Sequence, residues 1–282
     1  MIKDILTALL WFALFGGLFG LILALASKAF AVKVDERIPK ICDELPGANC
    51  GGCGFAGCAA LAEAIVAGKA KTSACVVGGD DVAERISEIM GCSADKTVRM
   101  RAQIMCSGCI GIAKKKYIYN GAPDCIAAAK LGGGDKLCPN GCVGFGNCAK
   151  LCSFGAIKIE NGIAAVDYKL CQGCGKCAEA CPKHIIKLIP FDAKYFVGCM
   201  STDKGALTRS YCDVGCIGCR ICEKNCPSGA VTVNGSIAEI DYDKCTDCGI
   251  CAEKCPRKII HSPSYTAPTL KNESNISAVK PE

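Results

Sequence analysis

Cys171-Gln172-Gly173-Cys174-Gly175-Lys176-Cys177-Ala178-Glu179-Ala180-Cys181-Pro182 places four thiols in the spacing C-x2-C-x2-C-x3-C-P. The first three are close enough to wrap one small body, while the fourth leaves the loop and reaches toward a second. The same run returns in full over Cys216, Cys219, Cys222 and Cys226, and again over Cys245, Cys248, Cys251 and Cys255. The chain has 27 cysteines in 282 residues, far above ordinary usage. Disulfides suit small secreted domains, and cysteines two or three residues apart rarely bridge each other. Zinc favours isolated C-x-x-C pairs or mixed histidine ligands, and only His184 and His261 are available. Runs of close thiolates are the ligand chemistry of iron–sulfur clusters.

Working outward, the chain repeats itself from Cys138 at a constant offset of 74 residues. Cys142, Cys148, Cys152, Cys171, Cys174, Cys177 and Cys181 recur as Cys216, Cys222, Cys226, Cys245, Cys248, Cys251 and Cys255, with Asp167, Tyr168 and Pro182 matching Asp241, Tyr242 and Pro256. The spacing is that of bacterial ferredoxins, in which the fourth cysteine of each run ligates the other [4Fe-4S] cluster. One cluster is therefore expected on Cys216, Cys219, Cys222 and Cys255, and one on Cys226, Cys245, Cys248 and Cys251. Cys152, Cys171, Cys174 and Cys177 form a third set. Its partner is irregular, because Phe145 stands where Cys219 stands in the second copy. Cys138 is the nearest replacement, giving Cys138, Cys142, Cys148 and Cys181, against a damaged or three-iron site. In each copy two β-rich runs flank a turn, at Asn161-Gly162 and Asn234-Gly235.

Nearer the N-terminus, Leu45-Pro46-Gly47-Ala48-Asn49-Cys50-Gly51-Gly52-Cys53-Gly54-Phe55-Ala56-Gly57-Cys58 precedes Cys75. Cys50, Cys53, Cys58 and Cys75 make a self-contained site whose glycines let backbone N–H groups turn toward sulfur. A helix is predicted over Ala59 to Ala67, and a second with Val82, Ile86 and Ile89 on one face, capped by Asp80 or Asp81 and ended by Gly91. Val98 to Ile104 alternates as a half-buried strand. Of the remaining cysteines, Cys42 and Cys92 read as spare thiols, and a sixth cluster on Cys106, Cys125, Cys199 and Cys212 stands against spare thiols there and at Cys109.

Ile5 to Ala26 is free of charge for 22 residues, a helical span of about 33 Å that crosses a bilayer core. Lys28, Lys33, Arg37 and Lys40 follow it, which places the C-terminal side in the cytoplasm. A cleaved signal peptide is the rival, given Ala24-Leu25-Ala26, but the preceding segment is nearly neutral and the apolar run is long. The formal charge of +6 falls to about −4 once five clusters ionise their thiols, so basicity does not argue for nucleic acid. Lys114-Lys115-Lys116 is either a docking patch for an acidic partner or a solvated loop. No dinucleotide loop, Walker motif or haem motif is present, so NAD is not expected in this chain.

The expected fold class is α+β. It comprises a transmembrane anchor (1–31), a membrane-proximal [4Fe-4S] domain (32–95), a connecting segment with extra cysteines (96–137), ferredoxin-like modules over 138–198 and 199–262, and a flexible tail (263–282).

An apolar N-terminal helix, then L-P-G-A-N-C-G-G-C-G-F-A-G-C with Cys75, then tandem ferredoxin runs, closely resembles the B subunit of the Rnf complexes, in the long form of clostridia and acetogens. The resemblance implies an electron-transfer subunit, for which the cysteine spacing provides five [4Fe-4S] clusters, or six. It would take electrons from reduced ferredoxin and pass them to other Rnf membrane subunits of a sodium- or proton-translocating ferredoxin:NAD+ oxidoreductase. It further implies single-pass attachment to the cytoplasmic membrane, with NAD and flavin bound by other subunits. The alternatives are an electron-transfer subunit of another membrane-anchored dehydrogenase and an iron–sulfur redox sensor.

Overall fold

The computed structural model describes residues 2–29, 35–94 and 98–262; the tail expected over 263–282 lies outside them. Helix α1 (Ile2–Ala29) contains the span Ile5–Lys28, with mean hydropathy 2.4 and none of its most apolar stretch buried by protein. Among the described residues it is the one helix long and apolar enough to cross a membrane. Leu10, Phe12, Phe19 and Leu23 are all exposed along it, an all-round apolar surface of the kind that lipid covers.

Helices α2 (Arg37–Glu44), α3 (Cys58–Val66) and α4 (Gly79–Met90) form a small unit around Ile41, Leu61, Ile65, Val82 and Ile86. Full burial of such side chains contributes about 1.5–3 kcal/mol each. Gly78 stands at the cap position of α4 and offers no side chain, so Asp80 and Asp81 sit in the first turn and favour the helix dipole without capping it. Gly91 ends α4 in the left-handed conformation, as its position in the sequence predicts.

The segment expected as a connector is integral to the first module. Strand β1 (Met100–Ile104) pairs antiparallel with β4 (Ile186–Pro190), enclosing α5 (Cys125–Lys130), α6 (Asn147–Lys150), the hairpin β2 (Ile157–Glu160) and β3 (Ile163–Val166), and α7 (Lys176–Glu179). The second module repeats this plan. Strand β5 (Phe196–Val197) pairs with β8 (Ile260–His261) around α8 (Gly205–Tyr211), α9 (Ile221–Lys224), the hairpin β6 (Val231–Asn234) and β7 (Ile237–Ile240), and α10 (Ile250–Lys254). In the second hairpin Asn234 belongs to the strand, and the turn falls on Gly235 and Ser236.

Backbone hydrogen bonds show which strands correspond. The Met105 N–H donates to the Ile185 carbonyl and the Gly198 N–H to the Ile259 carbonyl. Strand β1 is thus the counterpart of β5, and Cys106, rather than Cys125, occupies the place of Cys199. The constant offset hides this because the first copy has a longer loop after β1. His184 and Lys258, at matching repeat positions, share a positive φ of 51° and 49°.

Candidate metal centres

A residue of positive φ opens each one-turn helix that carries the third cysteine of a run: Gly146 before Cys148, Gly175 before Cys177, Arg220 before Cys222 and Gly249 before Cys251. This reversal lets consecutive thiols face inward around one space. Cys152, Cys171, Cys174 and Cys177 line a cavity of about 330 Å³. Cys216, Cys219, Cys222 and Cys255 line another of about 350 Å³. In each, one cysteine comes from the end of the module's other run, Cys152 in the first and Cys255 in the second, as the crossed arrangement requires. Cys226 lies in the electrostatic neighbourhood of Cys245 and Cys251, and Cys248 in that of Cys251.

The irregular site differs from the sequence expectation. Cys142, Cys148 and Cys181 line a cavity of about 390 Å³, and its fourth thiol is Cys125, not Cys138. Asp124 accepts from the Ala127 N–H at 2.8 Å and so caps α5. Asn147, at the start of α6, donates to Asp124 at 2.6 Å and accepts from the Cys125 N–H at 3.0 Å. This clamp seats Cys125 beside Cys148. Phe145, where the missing thiol would stand, packs against Tyr119 with ring centroids 5.2 Å apart. The clamp joins residues 22 and 23 positions apart, and no local pattern in the sequence announces it.

The tentative quartet of Cys106, Cys125, Cys199 and Cys212 is corrected by the same exchange. Cys106, Cys138, Cys199 and Cys212 line one cavity of about 380 Å³ between the modules. Cys109 is fully buried and is not among the lining residues. Lys115 pairs with Asp135 at 2.7 Å and Lys116 donates to the Gly132 carbonyl, so two of the three lysines suspected of docking are engaged within the chain.

In the membrane-proximal unit, Asn49 accepts from the Cys58 N–H at 2.9 Å, folding the glycine-rich loop back on the start of α3. A Cβ on Gly57 would lie 2.8 Å from that Asn49 oxygen. Cys75 lies near Cys53 and Cys58. The loop also abuts the first module at Cys174, whose thiol neighbours include Cys50.

The thiol on each one-turn helix resists ionisation. Burial, reinforced by neighbouring thiols, pushes Cys177 up to about 12 and Cys148 up to about 11. Burial also raises Cys222 and Cys251 to about 11. A set of acidic-hydrogen donors crowded together in apolar cavities is suited to a multivalent cationic core, which holds such groups as thiolates. Backbone N–H groups already point at sulfur: Gly78 to Cys75, Ala102 to Cys171 and Ala156 to Cys152, each at 3.3 Å. Among the described residues no group of three or more His, Cys, Asp or Glu converges on a point that would hold one ion. The cysteines instead line shared spaces in sets of four.

Residues 45–77 match the FeS (Fe-S cluster) family model, residues 164–187 the 4Fe-4S binding domain, and residues 215–259 the 4Fe-4S dicluster domain. The chain is 44% identical over 261 residues to the B subunit of the Na+-translocating ferredoxin:NAD+ oxidoreductase complex of Acetobacterium woodii, covering 92% of this chain and 78% of that protein. It is 40% identical to the B subunit of the proton-translocating ferredoxin:NAD+ oxidoreductase complex of Clostridium ljungdahlii, covering 96% and 98%. The chain belongs to the family of Rnf B subunits. A third member, the B subunit of the ion-translocating oxidoreductase complex of Methanosarcina acetivorans, is 41% identical over 86% of this chain and 92% of its own length. As an Rnf B subunit, the chain is an iron–sulfur electron-transfer component of an oxidoreductase complex, and its apolar helix α1 fits membrane association.

Proposed function

We propose that this subunit holds five [4Fe-4S] clusters in a row and conducts electrons from reduced ferredoxin to the membrane subunits of a ferredoxin:NAD+ oxidoreductase that translocates sodium ions or protons. The ligand sets would be Cys50, Cys53, Cys58 and Cys75; Cys152, Cys171, Cys174 and Cys177; Cys125, Cys142, Cys148 and Cys181; Cys216, Cys219, Cys222 and Cys255; and Cys226, Cys245, Cys248 and Cys251. When bound, such clusters supply one-electron redox chemistry. The residues provide thiolates, N–H donors to sulfur and an apolar enclosure, the factors that tune potential. The observation that carries the reading is the succession of thiols: Cys50 neighbours Cys174, and Cys177 neighbours Cys148.

The far end of the row is the more open. Cys219 and Cys248 are exposed, with Lys224 exposed on the same module beside Arg220, Lys244 and Lys254, which are exposed and pair with Glu223, Asp241 and Glu253 at the surface. An acidic ferredoxin would dock there, bringing its cluster near exposed ligands. The positive residues after α1 favour a cytoplasmic position for this part. The test is ferredoxin-dependent NAD+ reduction by membranes carrying the full complex. Charge reversal at Arg220 and Lys224 should raise the apparent KM for ferredoxin and reduce the salt dependence, with iron content unchanged. Unaltered ferredoxin kinetics would refute docking on this module.

A further inference from the structure

The cavity between the two modules is built like the cysteine-lined spaces on either side of it, yet it belongs to neither ferredoxin pattern. It receives two thiols from each copy. Cys106 follows β1 and Cys199 follows the equivalent β5, while Cys138 and Cys212 stand at matching repeat positions. Cys106 is the common neighbour of the other three. A Cβ on Gly108 would press on the Ala113 Cβ at 3.0 Å and touch the Cys212 and Cys106 sulfurs at 3.6 and 3.8 Å, so both thiols lie beside the same glycine.

Two more observations separate this space from a chance gathering of buried thiols. The Cys142 N–H points at the Cys106 sulfur and the Ser201 N–H at the Cys199 sulfur, both at 3.4 Å. This is the donor pattern seen at Cys75, Cys152 and Cys171. Cations also approach from both modules: buried Lys136 donates to the Gly108 carbonyl at 2.8 Å, and Arg257 to the Cys212 carbonyl at 2.7 Å. A buried ammonium held by neutral carbonyls is costly unless an anion lies nearby, and a tetrathiolate cubane carries a net charge of about −2.

We infer that Cys106, Cys138, Cys199 and Cys212 hold a sixth [4Fe-4S] cluster that joins the two ferredoxin-like modules. The inference rests on the multi-cluster reading above. It stands in that row between the two modules, since Cys106 neighbours Cys142 on one side and Cys199 neighbours Cys216 on the other. The repeat explains how these thiols came to be spare. In the second copy Cys219 completes its own site, leaving Cys199 and Cys212 to the junction; in the first copy Cys125 completes the site that lacks Cys219's counterpart, leaving Cys106 and Cys138.

The test is iron and acid-labile sulfide per chain in the complex purified without oxygen, measured before and after substitution. The unmutated chain should hold about 24 iron atoms. Cys106→Ser and Cys199→Ser should each hold about 20, and so should the double variant, with Cys109→Ala unchanged. A native count near 20 that neither serine substitution lowers would overturn the sixth site and leave the five-cluster reading standing. A native count near eight would overturn that reading itself. Loss of four irons in Cys109→Ala would overturn the ligand set. The count on the unmutated chain decides even if the serine variants fail to fold.

Discussion

Gly52 and Cys174 meet backbone to backbone: a Cβ on Gly52 would lie 2.7 Å from the Cys174 carbonyl oxygen. One residue lies between two proposed ligands of the membrane-proximal unit, Cys50 and Cys53, and the other is itself a proposed ligand of the first module. Glycine is needed there for approach and not for an unusual φ. Gly52→Val should force the two units apart at a cost of about 1–3 kcal/mol. Each should keep its iron, while reduction of the membrane-proximal site by ferredoxin slows in stopped-flow measurements. Unchanged kinetics would show that this contact does not carry electron flow.

Cys125 and Cys138 can be assigned by combining substitutions. If Cys125 shares a site with Cys142, Cys125→Ser and Cys142→Ser together should cost no more iron than either alone, about four atoms. Cys138→Ser with Cys142→Ser should cost about eight. The reverse pattern would restore Cys138 to the irregular site.

Gly173 lies between two ligands at φ 67°, and a Cβ there would collide with the Met100 carbonyl. Gly173→Ala should destabilise the first module by about 2 kcal/mol or more. It should lower the denaturation midpoint and loosen iron at the Cys171 site, while Gly229→Ala, with open space around its Cβ position, disturbs packing less. Equal effects would contradict the close approach of β1 to this loop.

His261 is buried, bonded to Ser107 at 2.9 Å, and its pKa is lowered by burial from 6.5 to about 4. Below pH 6.5 the unfolded chain takes up a proton that the folded chain refuses until about pH 4. Stability should therefore fall with pH across that window, by up to about 3 kcal/mol, and level off beneath it. His261→Phe should remove that part of the pH dependence in thermal denaturation of the iron-loaded chain. A wild-type slope retained in the variant would place its origin elsewhere.

What the sequence disclosed was whatever depends on local spacing. The runs from Cys171 and Cys216 each bring three thiols to one space, which Cys152 and Cys255 also line from the partner runs, and such gathering follows from spacing. Gly91 and the two hairpins were equally legible, being matters of backbone conformation. Cys125 and Cys138 were exchanged because their placement depends on contacts remote along the chain: the Asp124–Asn147 clamp for one and the backbone pairing of Leu137 with Lys114 and of Lys136 with Lys115 for the other. A constant repeat offset aligned Cys199 with Cys125, while the strands align it with Cys106, and only the fold reveals the inserted loop.

A cluster-by-cluster density map of the intact complex tests the central claim most directly. It should show iron–sulfur density in sequence from the Cys50 site, through the site of Cys125, Cys142, Cys148 and Cys181, to the module with exposed Cys219 and Cys248. Density centred among Cys138, Cys142, Cys148 and Cys181, or a first module with a single cluster, would contradict it.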